Sequence, residues 1–178
     1  MSTTTETVAL PTGTYNADTV HSSVGFEVAY ASAGIFSGSV NTFQAQLADG
    51  VLSGSAEIAS LVTKDENLQA HLLSPEFFDA EQYPEVGFVA TQGRRDGDRA
   101  QFDGEITIKG VTRPATLTGT IAGPVADAWG NERWILTLET TIDRTEFGIT
   151  WNAPLPDGSK ALADEVTLKA NLALVKAA

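Results

Sequence analysis

The side chains best suited to move a proton or hold a metal near neutral pH are two histidines, His21 and His71, fifty residues apart. The two together, joined by Asp18 or Asp65, would supply nitrogen and oxygen donors that zinc accepts. A metal site needs convergent geometry, however, and single His and Asp residues more often face solvent or serve structure. Asp18, His21 and Ser22 are the residue types of a nucleophilic triad. Neighbours along one strand point to alternate faces, so these three are not expected to converge, and nothing nearby supplies an oxyanion hole. Asp79, Glu81 and Glu85 offer carboxylates for acid–base work, but their setting reads as a solvated loop. The sequence contains no phosphate loop, dinucleotide fingerprint, nucleophile elbow or calcium loop. It also contains no cysteine, which excludes disulfides and thiolate metal centres. No catalytic residue, no metal and no required cofactor are expected.

The elements that would position any site have a period of two. Val24, Phe26, Val28 and Tyr30 share one parity against Ser23, Gly25, Glu27 and Ala29. Phe43, Ala45 and Leu47 alternate with glutamines, and Leu52, Gly54, Ala56 and Ile58 alternate with Ser53, Ser55 and Glu57. Strands resume at Val86–Thr91, and then at Phe102–Ile108, Ala115–Ile121, Trp134–Ile142 and Val166–Leu174. Asp49-Gly50 and Asp96-Gly97-Asp98 mark hairpins, and Ala31–Gly34 is a small-residue break. Phe26, Val28, Phe43, Ile106, Leu117, Leu136, Leu168 and Leu172 are predicted to point inward. Glu27, Glu105, Thr118, Glu139 and Lys169 are predicted to point outward.

One segment reads as helix, Thr63 to Leu73, with Thr63 and Glu66 spaced as a capping box and Pro75 as its stop. Phe77 and Phe78 follow as a plug for one end of the core. The threonine-rich outer rows mean that one face is wet, which fits antiparallel strands. Closure into a barrel would bury the other face and remove the exposed edges; a two-sheet sandwich would show the same alternation. Small residues on inner rows (Gly54, Ala56, Gly104, Ala115, Gly119 and Ala170) would leave room for a ligand inside an eight-stranded barrel.

The 178 residues suit one domain, read as residues 12–178 behind a flexible Ser/Thr-rich tail at residues 1–11. Acidic residues outnumber basic ones 23 to 11, for a net charge of −12. Such a surface repels phosphate backbones and anionic headgroups, so neither nucleic acid nor stable membrane insertion is expected. The opening residues lack the charge and apolar run of a leader, which points to a soluble cytoplasmic protein. Oligomeric state is not fixed by the sequence, and a homodimer is allowed.

Four segments, in order, resemble the YceI-like family of lipocalin-like barrels that bind polyisoprenoid lipids. They are Asp18–Phe26, with its His-Ser pair; Ala70–Pro84, with His-Leu, Phe-Phe-Asp and Tyr-Pro; Gly104–Pro114, similar to the family's Gly-x-Leu-Thr-Ile-x-Gly-Val-Thr-Arg-Pro; and Asp143–Ile149, with Arg-x-x-Phe-Gly. Departures are Tyr30 where the family often has His, Gln69-Ala70 where it usually has Arg-Asp, and a longer Asn152–Lys160 loop. The resemblance implies an all-β, eight-stranded antiparallel lipocalin-like barrel with one short helix capping an opening. It further implies an apolar tunnel holding one isoprenoid chain, of polyprenyl or isoprenoid-quinone type, for carriage, storage or protection. Strands of about ten residues span roughly 33 Å, so the inner rows are expected to line a long tunnel. The predicted lining is Phe26, Val28, Tyr30, Phe43, Ala56, Leu72, Phe77, Phe78, Phe88, Phe102, Ile106, Leu117, Trp134, Leu136 and Phe147. The competing reading is an enzyme acting on an isoprenoid or other apolar substrate, with His21 or His71 as base.

Overall fold

A computed structural model of the protein describes residues 9–178, so most of the predicted tail lies outside the described residues. The strands, in chain order, are β1 (Thr14–Ala17), β2 (Ser23–Tyr30), β3 (Gly34–Val40), β4 (Phe43–Ala48), β5 (Val51–Glu57) and β6 (Leu61–Val62), then β7 (Glu85–Asp96), β8 (Arg99–Ile108), β9 (Val111–Ala126), β10 (Glu132–Asp143) and β11 (Leu162–Lys176). The helix α1 (Glu66–Leu73) lies between β6 and β7. All the pairings are antiparallel. Eight strands form a closed ring in the order β1-β4-β5-β7-β8-β9-β10-β11, and β11 returns to β1.

The remaining strands branch from β11. Its C-terminal residues Leu174–Lys176 pair with β1, while Leu162–Asn171 pair with β2, which carries β3 and then β6 outward. β3 was not anticipated by the alternation, because Gly34–Val40 mixes Gly and Ser with only three large apolar residues.

Turn chemistry sets the register of the hairpins. Asp49 and Gly50 have φ of 48° and 82°, both positive as a two-residue hairpin turn requires. Lys109 and Gly110, at 50° and 75°, do the same between β8 and β9. The Ala31–Gly34 break is a hairpin as well, with Ala31 and Ser32 at φ of 50° and 65°.

The predicted facing holds. Val28, Phe43, Ile106, Leu136 and Leu172 are buried, and Glu105, Thr118, Glu139 and Lys169 are exposed, with Glu27 half-buried beside Lys169. Phe26, Leu117 and Leu168 point inward yet are only half-buried, and all three border a cavity.

Helix α1 begins later than predicted, and its cap is a different residue. Asp65, in extended conformation, accepts from the Leu68 amide at 2.9 Å, whereas Thr63 Oγ1 donates to the Asp65 carbonyl. A carboxylate two residues closer to the helix reaches its free N–H groups, and Thr63 is left to brace the approach. Asp65→Ala is therefore expected to lower stability by about 1 kcal/mol, and Thr63→Ala by less. Equal losses in chemical denaturation would return the capping role to Thr63. Pro75 lies just past the C-cap Ser74, as predicted.

Candidate ligand cavity

The barrel interior divides into a packed half and a hollow half. Toward the β9–β10 hairpin, Tyr15, Leu47, Phe102, Ile121, Leu136 and Leu174 are essentially inaccessible, and the core is filled. Trp134 closes this half, with the Arg95 guanidinium 5.2 Å above its ring centroid. Toward α1 the side chains no longer meet. A cavity of about 170 Å³ opens among Phe26, Ala56, Phe88, Ile106, Leu117 and Leu172, with an almost wholly apolar wall. Beside it lies a smaller chamber of about 80 Å³, bordered by Val28, Phe36, Leu72, Phe77, Phe78 and Phe147. Phe26, Phe78, Ile108 and Leu168 border both.

The wall of the larger cavity includes a seam. Val24 and Val40 lie on one side of it and Gln44 and Ala45 on the other, and no backbone pairing joins β4 to β2 or β3 among the described residues. The seam arises because β11 leaves one neighbour, β1, for another, β2, partway along its length.

Of the predicted lining, Phe26, Val28, Ala56, Leu72, Phe77, Phe78, Phe88, Ile106, Leu117 and Phe147 border one or both chambers. Phe43, Phe102, Trp134 and Leu136 point inward but belong to the packed core and border neither chamber. Tyr30 is 51% exposed, because it ends β2 at the rim, past the bulge in the β2–β11 pairing, where no opposite wall remains. The cavity is therefore shorter than the strands that enclose it.

The small inner residues do not all leave room. A Cβ built on Gly104 would meet the Val89 carbonyl oxygen at 2.2 Å, and one on Gly119 would meet that of Thr137 at 1.7 Å. These glycines let neighbouring backbones approach, and at Gly104 the β7 partner carries a bulge between Ala90 and Gln92. Ala56 is different, since it borders the cavity.

The polar candidates sit elsewhere. His21 Nδ1 lies 2.7 Å from Asp18 Oδ2 on the exterior, and Ser22 Oγ accepts from the Ala173 amide. His71 Nε2 pairs with Glu76, and its ring stands edge-on between Phe77 and Trp151 at centroid distances of 4.8 and 4.7 Å. Neither histidine borders either chamber. Asp79, read as solvated, is buried at 8% exposure in a left-handed turn (φ 50°), while Glu81 and Glu85 are exposed. Among the described residues no three His, Asp or Glu side chains converge as a metal would require.

Asp18 instead anchors a surface network. Arg133 Nη1 donates to Asp18 at 2.9 Å and Arg133 Nε donates to Asp127 at 2.8 Å, which ties the β1–β2 turn to the β9–β10 hairpin. Hydrogen bonds from His21 and Arg133 hold the Asp18 carboxyl well below the usual range, and those from Asn131 and Arg133 do so for Asp127. Groups with depressed folded values support the fold fully above the ordinary Asp value of about 4, and progressively less as pH falls below it. Arg133→Gln is expected to flatten the acid limb of melting temperature against pH. An unchanged limb would mean that other carboxylates drive acid unfolding.

An antiparallel barrel that encloses an apolar, phenyl-lined chamber defines a binding-protein architecture. The chain belongs to the YceI-like domain family, whose model matches residues 15–174. A UPF0312 protein of Pseudomonas putida strain F1 is 31% identical over 129 residues, covering 72% of this chain and 67% of that one. The crystal structure of Burkholderia cenocepacia BcnA superposes with a TM-score of 0.74 at 22% identity, over 90% of this chain and 99% of that one. A polyisoprenoid binding domain from Saccharophagus degradans, implicated in plant cell wall breakdown, gives 0.67 at 10% identity, over 94% and 100% of the two chains. No helix among the described residues is long and apolar enough to cross a membrane.

Arg144 and Phe36 also border the smaller chamber and were not among the predicted lining. Phe36 follows from the unanticipated β3. Arg144 was marked by the Arg-x-x-Phe-Gly segment without a role, and neither composition nor periodicity signals its burial.

Proposed function

We propose that the protein binds one long-chain isoprenoid lipid, of polyprenyl or isoprenoid-quinone type, inside the barrel, and carries, stores or protects it without turning it over. The observation that carries this reading is the pair of adjoining apolar chambers at the helix end. Buried apolar surface contributes about 25 cal/mol per Å², and the phenyl rings supply a wall that a methyl-branched chain can pack against. The polyisoprenoid binding domain with the same fold supports the ligand class. The larger chamber, about 170 Å³, is close to the roughly 150 Å³ at which an apolar protein cavity takes up benzene. It accepts a ring or a short piece of chain as it stands. A longer chain fits once Phe26 and Phe78, which border both chambers, turn aside, with the remainder running along the seam.

Organic extraction of the purified, folded protein followed by mass spectrometry tests the reading. Recovery of a prenyl lipid at near one molecule per chain is expected. A clean extract from folded protein that also fails to take up added prenyl lipid would overturn it. The enzymatic alternative draws no support from the histidines, both of which lie outside the chambers.

A further inference from the structure

The ring of strands is not paired along its whole length. β9 and β10 pair from Glu132 opposite Ala126 to Glu139 opposite Thr118, and among the described residues no pairing joins them beyond that point. The same register, extended, would set Thr141 against Thr116 and Ile142 against Ala115. The two strands part instead. Residues 111–117 of β9 keep β8 as their neighbour, and residues 140–143 of β10 keep β11. Pro114, which has no N–H to give a ladder, sits within the parted run, the kind of edge at which a strand tolerates proline.

A groove of about 530 Å³ with a mostly polar wall lies at the parting, bordered by Thr116, Thr141, Asp143 and Glu146. Both rows of the barrel wall reach it. Thr116 and Thr141 are exposed on the outer row, whereas Ala115, Thr140 and Ile142 share the parity of the inward-facing Leu117 and Leu138. Thr140 also borders the larger chamber, and Ile142 and Phe147 also border the smaller one. Single side chains are thus shared between the outside groove and the chambers, and no strand pairing crosses there. The seam residues Val24, Val40, Gln44 and Ala45 border only the larger chamber.

One side chain spans the parting. Arg113 has the parity of the inner row and pairs with the buried Ile106 on β8, yet it is exposed. Its Nη2 donates to the Glu146 carbonyl at 3.4 Å, which joins β9 to the turn at Arg144–Phe147 that follows β10. A hydrogen bond of that length is weak. Arg113 borders the groove and neither chamber.

We propose that an isoprenoid chain enters and leaves the chambers sideways, through the parting between β9 and β10, and that Arg113 is the latch of this lateral gate. The proposal rests on the lipid-binding reading and adds a route and a residue that sets rates without touching seated ligand. A latch that holds the same closed form with and without ligand changes the rates of entry and exit by one factor and leaves their ratio, the Kd, in place.

The test follows uptake and release of retinol, a fluorescent isoprenoid alcohol, by stopped-flow mixing and by dilution. Arg113→Ala is expected to speed both by about two- to tenfold, the range for loss of one hydrogen bond, with Kd unchanged. The chain has no cysteine, so Thr116→Cys combined with Thr141→Cys places two thiols on opposite lips of the parting. A short bis-maleimide added to the folded, lipid-free protein then bridges them. Bridging is expected to slow uptake and release together by about tenfold or more, with the melting temperature taken before and after to show that the fold persists. Uptake that is equally fast with and without the bridge would mean that ligand passes by the seam or beside α1, and would overturn the proposal. A change of Kd in Arg113→Ala with one rate unaltered would remove the latch. Failure of the wild-type protein to bind retinol at all would instead overturn the lipid-binding reading, and the gate with it.

Discussion

Ala56→Phe is expected to strip the protein of lipid while leaving the lipid-free form close to its native melting temperature. Ala56 pairs with Phe43 on β4 and Val86 on β7, and it borders the larger chamber. A phenyl ring at this position occupies the volume that a prenyl chain would fill. In a packed core the same substitution forces neighbours off their rotamers and costs about 1–3 kcal/mol. In an existing cavity the ring finds space and gains contacts. The two readings therefore predict opposite pairs of results, read by lipid content and by melting of the delipidated protein. A large loss of stability with lipid content unchanged would mean that the space at Ala56 is not where ligand resides.

Phe102→Ala and Phe78→Ala are expected to behave as opposites. Phe102 has 0% exposure and borders neither chamber. Its removal should cost about 3–5 kcal/mol, a fall in melting temperature on the order of 10 °C for a domain of this size, with little change in affinity once the variant is folded. Phe78 is half-buried and borders both chambers, so part of its ring already faces empty space. Its truncation should cost much less stability while merging the chambers, which raises the capacity for bulky prenyl chains. Equal stability losses would show that the hollow half is as tightly packed as the other in solution.

The alternation of side chains made antiparallel strands with one wet face legible, because a period of two states which face is wet regardless of what fills the inside, and the family resemblance favoured a barrel over a sandwich. It could not state where along the axis the inside is filled. Phe102, Trp134 and Leu136 share the inward parity of Phe88, Ile106 and Leu117, yet the first three meet opposite partners and the second three do not. That difference depends on how side-chain volumes sum across a layer of the barrel, which joins residues far apart in sequence. Glycines misled for a related reason. Gly104 and Gly119 sit on inner rows, but the space their missing side chains would use is taken by the backbone of the next strand. Hairpins with Asp-Gly were readable from local chemistry, whereas β3, poor in large apolar residues, was visible only through its pairing with β2. Arg144 was marked only as the arginine of the Arg-x-x-Phe-Gly segment; its burial was not legible, since it depends on the Ala163, Ile149 and Trp151 carbonyls that receive its guanidinium.

Strand β11 has a consequence for how the protein is made. It pairs with β10, β1 and β2 at once, and it is translated after all three. A nascent chain that has not yet delivered Leu162–Lys176 carries three unsatisfied strand edges, two near its start, on β1 and β2, and one more than a hundred residues later, on β10. Ring closure thus waits until β11 has been made, and until then the growing chain is a template for pairing with other chains. Holdase chaperones and slow crowding-induced aggregation would compete for that intermediate. A chain interrupted by a stop codon before β11 should accumulate in inclusion bodies, however complete the rest of its sheet.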